Sequence, residues 1–133
     1  FHFDPLKSLK KEPKLYLWDW SAVDNEGCRF ENMIAGHLLK FTHYIRDYFG
    51  FNCELHYIRT RDQKEVDFLV SVDQKPWFAV EVKLSDQTPS KSLYYFKEKL
   101  AIPIYQVIDT PNIDYTQHGI RVMTASKFLT ALI

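Results

Sequence analysis

Cysteine and net charge are both scarce in this sequence, and each shortage excludes something. Cys28 and Cys53 are the only cysteines, too few for a disulfide scaffold and not arranged as a C-x-x-C pair. Two reduced thiols in a cytoplasmic protein are the expectation. No run of 18 apolar residues occurs, so no segment can span a bilayer as a helix. No secretory signal pattern is visible. Lys plus Arg number 17 and Asp plus Glu number 17, so the formal charge is zero. The basic excess typical of a nonspecific nucleic-acid binder is missing, although a zero sum leaves room for a local basic patch. The five histidines, His2, His37, His43, His56 and His118, make no metal-ligand spacing with a cysteine or with one another. They read as structural or surface residues, and no Ser-His-Asp arrangement can be argued.

What is abundant is apolar. Of 133 residues, 46% are hydrophobic and 16% aromatic, which suits one globular domain and argues against disorder. Residues 1–13 hold Pro5, Pro13 and several lysines, and read as a linker or the tail of a preceding domain. The domain proper is then 14–133. No internal repeat is present.

Leu15–Trp20 reads as a short strand or extended entry segment. Arg29–Phe49 is the strongest helix: Phe30, Ile34, Leu38, Phe41, Ile45 and Tyr48 recur at steps of four and three. At about 100° per residue they share a sector roughly 80° wide. Gly50 supplies a left-handed stop. Glu31 sits at the edge of that stripe, where an acid can look into the domain. Three alternating segments follow, Cys53–Thr60, Glu65–Val72 and Trp77–Leu84. In the second, Val66, Phe68, Val70 and Val72 share one face and Glu65, Asp67, Leu69 and Ser71 the other. In the third, Phe78, Val80, Val82 and Leu84 oppose Trp77, Ala79, Glu81 and Lys83. Thr88 and Pro89 look like the cap and first residue of a helix running to Leu100 and burying Leu93, Phe96 and Leu100. Ile102–Ile108 reads as a buried strand parallel to the Trp77 strand. Gly119–Met123 reads as a weaker strand, and Ala125–Leu132 as a closing helix capped by Thr124.

A hairpin through Asp73-Gln74-Lys75 would set Val72 against Pro76, Val70 against Phe78, Phe68 against Val80 and Val66 against Val82. The same register sets Asp67 against Glu81, with Cβ atoms about 4.5–5.5 Å apart. A one-residue slip would turn every core side chain outward, so the register is strongly specified. Two carboxylates that close repel unless a cation lies between them. Mg²⁺ typically takes one or two carboxylates plus water. Lys83 lies two residues beyond Glu81 on the same face, about 6.6 Å along the strand. It can orient a water beside the ion and neutralise charge developing on a phosphate. The plainer alternative for Glu81-Val82-Lys83 is a solvated strand face.

This order, a helix with an acid, an Asp on a middle strand, (D/E)-x-K on the next, then a helix and a strand, resembles the PD-(D/E)XK nuclease superfamily. The matching residues are Glu31, Asp67 and Glu81-Val82-Lys83. Lys14-Leu15-Tyr16, Asp19, Glu31-Asn32, Glu65-Val66-Asp67-Phe68 and Val80-Glu81-Val82-Lys83 look more narrowly like the uncharacterised C-terminal domain of many bacterial and archaeal AAA+-type ATPases. The likeness spans about Lys14 to Ile108. It implies a restriction-endonuclease-like αβββαβ core, a mixed sheet flanked by helices. It further implies that Asp67, Glu81 and the Val82 carbonyl hold Mg²⁺ or Mn²⁺, that Lys83 serves the attacking water, and that Glu31 supports them. Val66 stands where the motif's name has Pro. In full-length relatives an ATPase domain comes first. This chain has no G-x-x-x-x-G-K-[ST] loop, so it should not bind ATP itself.

Further candidates carry alternatives. Arg59 and Tyr57 could contact phosphate and buttress the site, or form a cross-strand ion pair and a packed ring. Lys91, with Ser92, opens the second helix, where an anion could sit; it could equally be solvated surface. Tyr94, Tyr95 and Phe96 could stack bases or simply be two sides of an amphipathic helix. The leading expectation is a Mg²⁺-dependent nuclease domain acting on DNA. Its rivals are a catalytically silent recognition or regulatory module for an attached ATPase and a dimerisation module built on exposed aromatics.

Overall fold

The computed structural model describes residues 10–12, 26–59 and 64–132. In chain order its elements are β1 (Lys10–Glu12), α1 (Glu26–Phe49), β2 (Cys53–Arg59), β3 (Glu65–Val72), β4 (Lys75–Lys83), α2 (Lys91–Leu100), β5 (Ile104–Ile108), β6 (Asp114–Gln117), β7 (Ile120–Thr124) and α3 (Ala125–Ala131). The strands form one sheet in the order β1-β2-β3-β4-β5-β7-β6. Pairing is antiparallel from β1 to β4, parallel from β4 through β5 to β7, and antiparallel again between β7 and β6. This is a mixed α/β architecture. Leu15–Trp20, Lys14-Leu15-Tyr16, Asp19 and His2 lie outside the described residues.

The apolar stripe makes α1 as its spacing predicts, with Phe30, Ile34, Leu38 and Ile45 buried. Tyr48 departs from it: it is exposed near the helix end. Gly50 (φ 73°) ends the helix, its N–H returning to the Arg46 carbonyl at 3.0 Å. One core cluster joins α1 and α3 to Phe68, Val70, Phe78, Val80 and Val107. A second, holding Ile58, Leu69, Ala79 and Ile104, is covered by Leu93, Phe96 and Leu100 of α2. The helices therefore cover both faces of the sheet. Among the described residues no helix is long and apolar enough to cross a membrane.

The β3–β4 hairpin is one residue shorter than predicted. Its turn is Asp73-Gln74, both at positive φ (51° and 69°), as a two-residue primed turn requires. Val72 therefore pairs with Lys75, not Pro76. A bulge at Trp77 then absorbs the difference, so Val70–Phe78 and Phe68–Val80 pair as the alternation demands. The bulge also turns Trp77 toward α1, where its ring lies 5.4 Å from Phe41. It does not share the face of Ala79. Leu84 falls beyond the end of β4 and is exposed, so it does not extend the Phe78–Val82 stripe.

A second bulge lies in β3. His56 pairs with Leu69 and Ile58 with Val66, so Asp67 and Phe68 together face the single residue Tyr57. The extra residue reverses the alternation. Val66 packs with Ile58 and Leu69, on the face opposite Phe68, and not with Phe68 and Val70 as predicted. The predicted Val66–Val82 pair is likewise not in the ladder, which ends at Phe68–Val80.

At α2 the cap is Ser90, whose side chain accepts from the Leu93 N–H, and the helix starts at Lys91. Thr88 and Pro89 precede it, so the predicted cap falls two residues early. Beyond β5, the sequence reading missed β6, which forms a hairpin with β7 through His118 and Gly119, both at positive φ. Thr124 does hold the cap position of α3, as expected, but its hydroxyl bonds the Thr110 carbonyl and the Ile113 N–H and makes no cap hydrogen bond to the helix.

Candidate metal-binding cleft

Beyond Phe68 and Val80 the β3–β4 ladder gives way to side chains. The Asp67 N–H donates to Glu81 Oε1 (3.2 Å) and the Val82 N–H donates to Asp67 Oδ2 (2.9 Å). Two carboxylates thus replace backbone carbonyls as acceptors between the strands. The β3 bulge is what makes this possible: bulges re-aim a side chain and interrupt pairing. Asp67 and Glu81 are the next residues on each strand after the last ladder pair, and their carboxyls hydrogen-bond to each other.

Glu81 is only 8% exposed. Burial, then the hydrogen bond and negative charge of Asp67, push its pKa up to about 9, against the opposing pull of Lys83. Its proton therefore bridges the acid pair at neutral pH.

The pair opens into a cleft of about 450 Å³. Glu31 lines it from α1, Val82 and Lys83 from β4, and Ser90 and Ser92 from the start of α2. The structure thus brings Glu31, Asp67, Glu81, Val82 and Lys83 to one place. It does not bring Lys91, which is exposed and does not line the cleft. The Tyr57 hydroxyl donates to Glu65 Oε2 at 2.6 Å. Arg59 pairs through its backbone with Glu65, while its side chain and residues 60–63 lie outside the described residues.

Sequence reasoning missed Cys28 and Ser90 as cleft residues, while Ser92, expected with Lys91 at a helix start where an anion could sit, does line the cleft. Cys28 could have been found one helical turn before Glu31, and Ser90 by preferring it over Thr88 as the cap. Gln106 was also missed. It pairs in register with Glu81 on β5, is fully buried, and donates from Nε2 to the Gln87 carbonyl at 2.7 Å, fixing the loop that leads to Ser90.

The other candidates are taken up by packing. Phe96 is buried, Tyr94 meets the His118 ring at 5.7 Å, and Tyr95 carries the Lys64 ammonium at 4.8 Å from its ring centre. His56 Nε2 lies 2.9 Å from Ser71 Oγ and 3.5 Å from Glu54 Oε2. The same nitrogen meets both, so Glu54 does not orient the ring through its other nitrogen, as a hydroxyl–imidazole–carboxylate relay needs.

Hard oxygen donors are the right kind for Mg²⁺ or Mn²⁺, and two carboxylates are the usual number that Mg²⁺ takes from protein. The residues present fit such an ion in chemistry. Among the described residues no three His, Cys, Asp or Glu side chains are gathered into a preformed cage.

The profile of a family described as "Domain of unknown function (DUF4143)" matches residues 26–128. No curated protein matches the sequence. Among solved structures, one described as "Refined half-complex from tetradecameric assembly of Thermococcus gammatolerans McrB AAA+ hexamers with bound McrC" contains a chain that superposes with a TM-score of 0.47 at 12% identity. The match covers 75% of this chain and 27% of the length of that one.

Proposed function

This chain belongs to the family described as a domain of unknown function, DUF4143, and we propose that it is a divalent-metal-dependent nuclease domain acting on DNA. The observation that carries the reading is the gap between β3 and β4 filled by the Asp67 and Glu81 carboxyls, hydrogen-bonded to each other and opening on a cleft that Lys83 lines. A buried acid pair costs stability unless something compensates it, so a fold that keeps one beside a lysine points to use rather than support.

Asp67, Glu81 and the Val82 carbonyl would hold Mg²⁺ or Mn²⁺. When bound, the ion would let both acids ionise and would activate a water for attack on phosphorus. Lys83 would orient that water and offset charge growing on the phosphate oxygens. The Ser90 and Ser92 hydroxyls can donate to a phosphate entering the cleft. Glu31 supports the arrangement from the α1 wall. On the resemblance to AAA+-associated C-terminal domains, a P-loop ATPase domain precedes this one in the full-length protein.

One observation favours a second reading, a catalytically silent module that regulates such an ATPase. The acid pair is already satisfied from within, by two backbone N–H groups and by the proton on Glu81.

The test is cleavage of plasmid and single-stranded DNA with Mg²⁺ or Mn²⁺, comparing the parent with Lys83→Ala and Asp67→Ala. Both substitutions should lower the rate by on the order of 100-fold or more. A parent that cuts and variants that cut equally well would remove the mechanism. A folded domain that binds neither ion by calorimetry would favour the silent module.

A further inference from the structure

The C-terminal end of α1 and the β3–β4 hairpin carry aromatic residues that the fold leaves in water. Tyr44 is 47% exposed, Tyr48 75%, Phe49 58%, Phe51 48% and Trp77 40%. They are contiguous: the Tyr44 ring lies 4.7 Å from that of Tyr48 and 6.0 Å from that of Phe49. Phe49, Phe51 and Trp77 border one groove of about 570 Å³, which Ile45 and Val72 also line. Because an aromatic side chain buries 150–250 Å² when covered, these five leave roughly 500 Å² of ring-bearing surface exposed. Exposed patches of that size are often functional.

The area also says what kind of contact would cover it. A standard interface takes about 800 Å² from each partner, of which about 56–65% is apolar, or roughly 450–520 Å². The patch holds the apolar share of one side of such an interface. The charged residues lining the groove are one acid, Asp73, and one base, Lys75. A border carrying both signs equally is complementary to itself across a two-fold axis, where the acid of one copy meets the base of the other. We propose that this groove is a dimer interface and that its occupant is a second copy of this chain. It lies about 30 Å along the α1 axis from Cys28 at the cleft, so pairing leaves both clefts open. The proposal stands apart from the chemistry assigned to the cleft.

Sedimentation equilibrium of the full chain across the micromolar range tests it. The parent should show a concentration-dependent rise to twice the chain mass. Tyr48→Glu with Phe51→Glu should raise the dissociation constant at least about 100-fold, since an isologous contact loses each ring on both sides. Circular dichroism melting checks that this variant is folded, and Tyr48→Ser alone, at the most exposed ring, serves where it is not. A monomer at every concentration overturns the proposal and leaves the patch to a different protein. A dimer that the folded variants leave intact overturns it too, because another surface then makes the contact.

Discussion

Glu81→Gln keeps the shape of a buried side chain and removes its proton equilibrium, which makes it a sharp probe of the cleft. In the folded domain, burial and Asp67 raise the Glu81 pKa from 4.5 to about 9. The folded state thus keeps a proton that the unfolded chain has lost. A raised folded pKa means stability that is fully present below about 4.5 and is lost as pH climbs through about 9. Between those limits the loss reaches at most about 1.4 kcal/mol per pH unit for one proton. Glu81 is nearly buried, so solvent screening takes little from that slope. Urea denaturation of the ion-free domain at pH 6, 7 and 8 reads it directly. The parent should weaken step by step, while Glu81→Gln, whose amide oxygen can still accept the Asp67 N–H, should run flatter by about that slope. A divalent ion must expel the same proton, so Mn²⁺ binding should tighten up to about tenfold per pH unit below 9 and release close to one proton. Equal slopes for parent and Glu81→Gln would refute the argument, because the acid pair would then not hold the proton.

Ser90→Ala removes the side-chain acceptor for the Leu93 N–H and should cost about 1 kcal/mol in chemical denaturation. Gln74→Gly relieves a side chain held at φ 69°; thermal melts should show a gain of about 0.5–1 kcal/mol, since glycine suits that turn position. Phe68→Ala empties the centre of the α1-side core, where Phe68 is fully buried. It should cost about 3–5 kcal/mol by urea denaturation, and a loss under 1 kcal/mol would mean that β3 is placed wrongly.

Much of the fold was legible because it follows from period. The stripe from Phe30 to Ile45 defines α1 and its buried face, and Gly50 marks its end. Alternation through Phe68, Val70, Phe78 and Val80 defines the central pairing, and Leu93, Phe96 and Leu100 define α2. What failed was local irregularity. Neither bulge carries a glycine or proline at its extra residue; Pro76 beside Trp77 was a sign of irregularity there, nothing at Asp67-Phe68 announces the other, and alternation carried Val66 and Trp77 to the wrong faces. Tyr48 kept the helical phase of the stripe, but phase cannot say where along a helix the burial ends. The cap was misplaced because Thr88-Pro89 and Ser90 both satisfy the rule for a helix start, and only the Leu93 N–H decides between them. The His118-Gly119 turn was legible in principle, but its short polar strand β6 has no apolar face to mark it.

Asp67 and Phe68 share the room that a regular strand gives to one residue, and that has a consequence for how the domain tolerates deletions. Loss of Phe68 would heal the pairing with β2 but swing the carboxylate of Asp67 into the apolar layer under α1. Loss of Asp67 would heal it equally well and leave the cleft without its second acid. Shortening this strand by a codon would thus buy a smoother sheet only by dismantling the cleft, so an uneven β3 is what the acid pair requires.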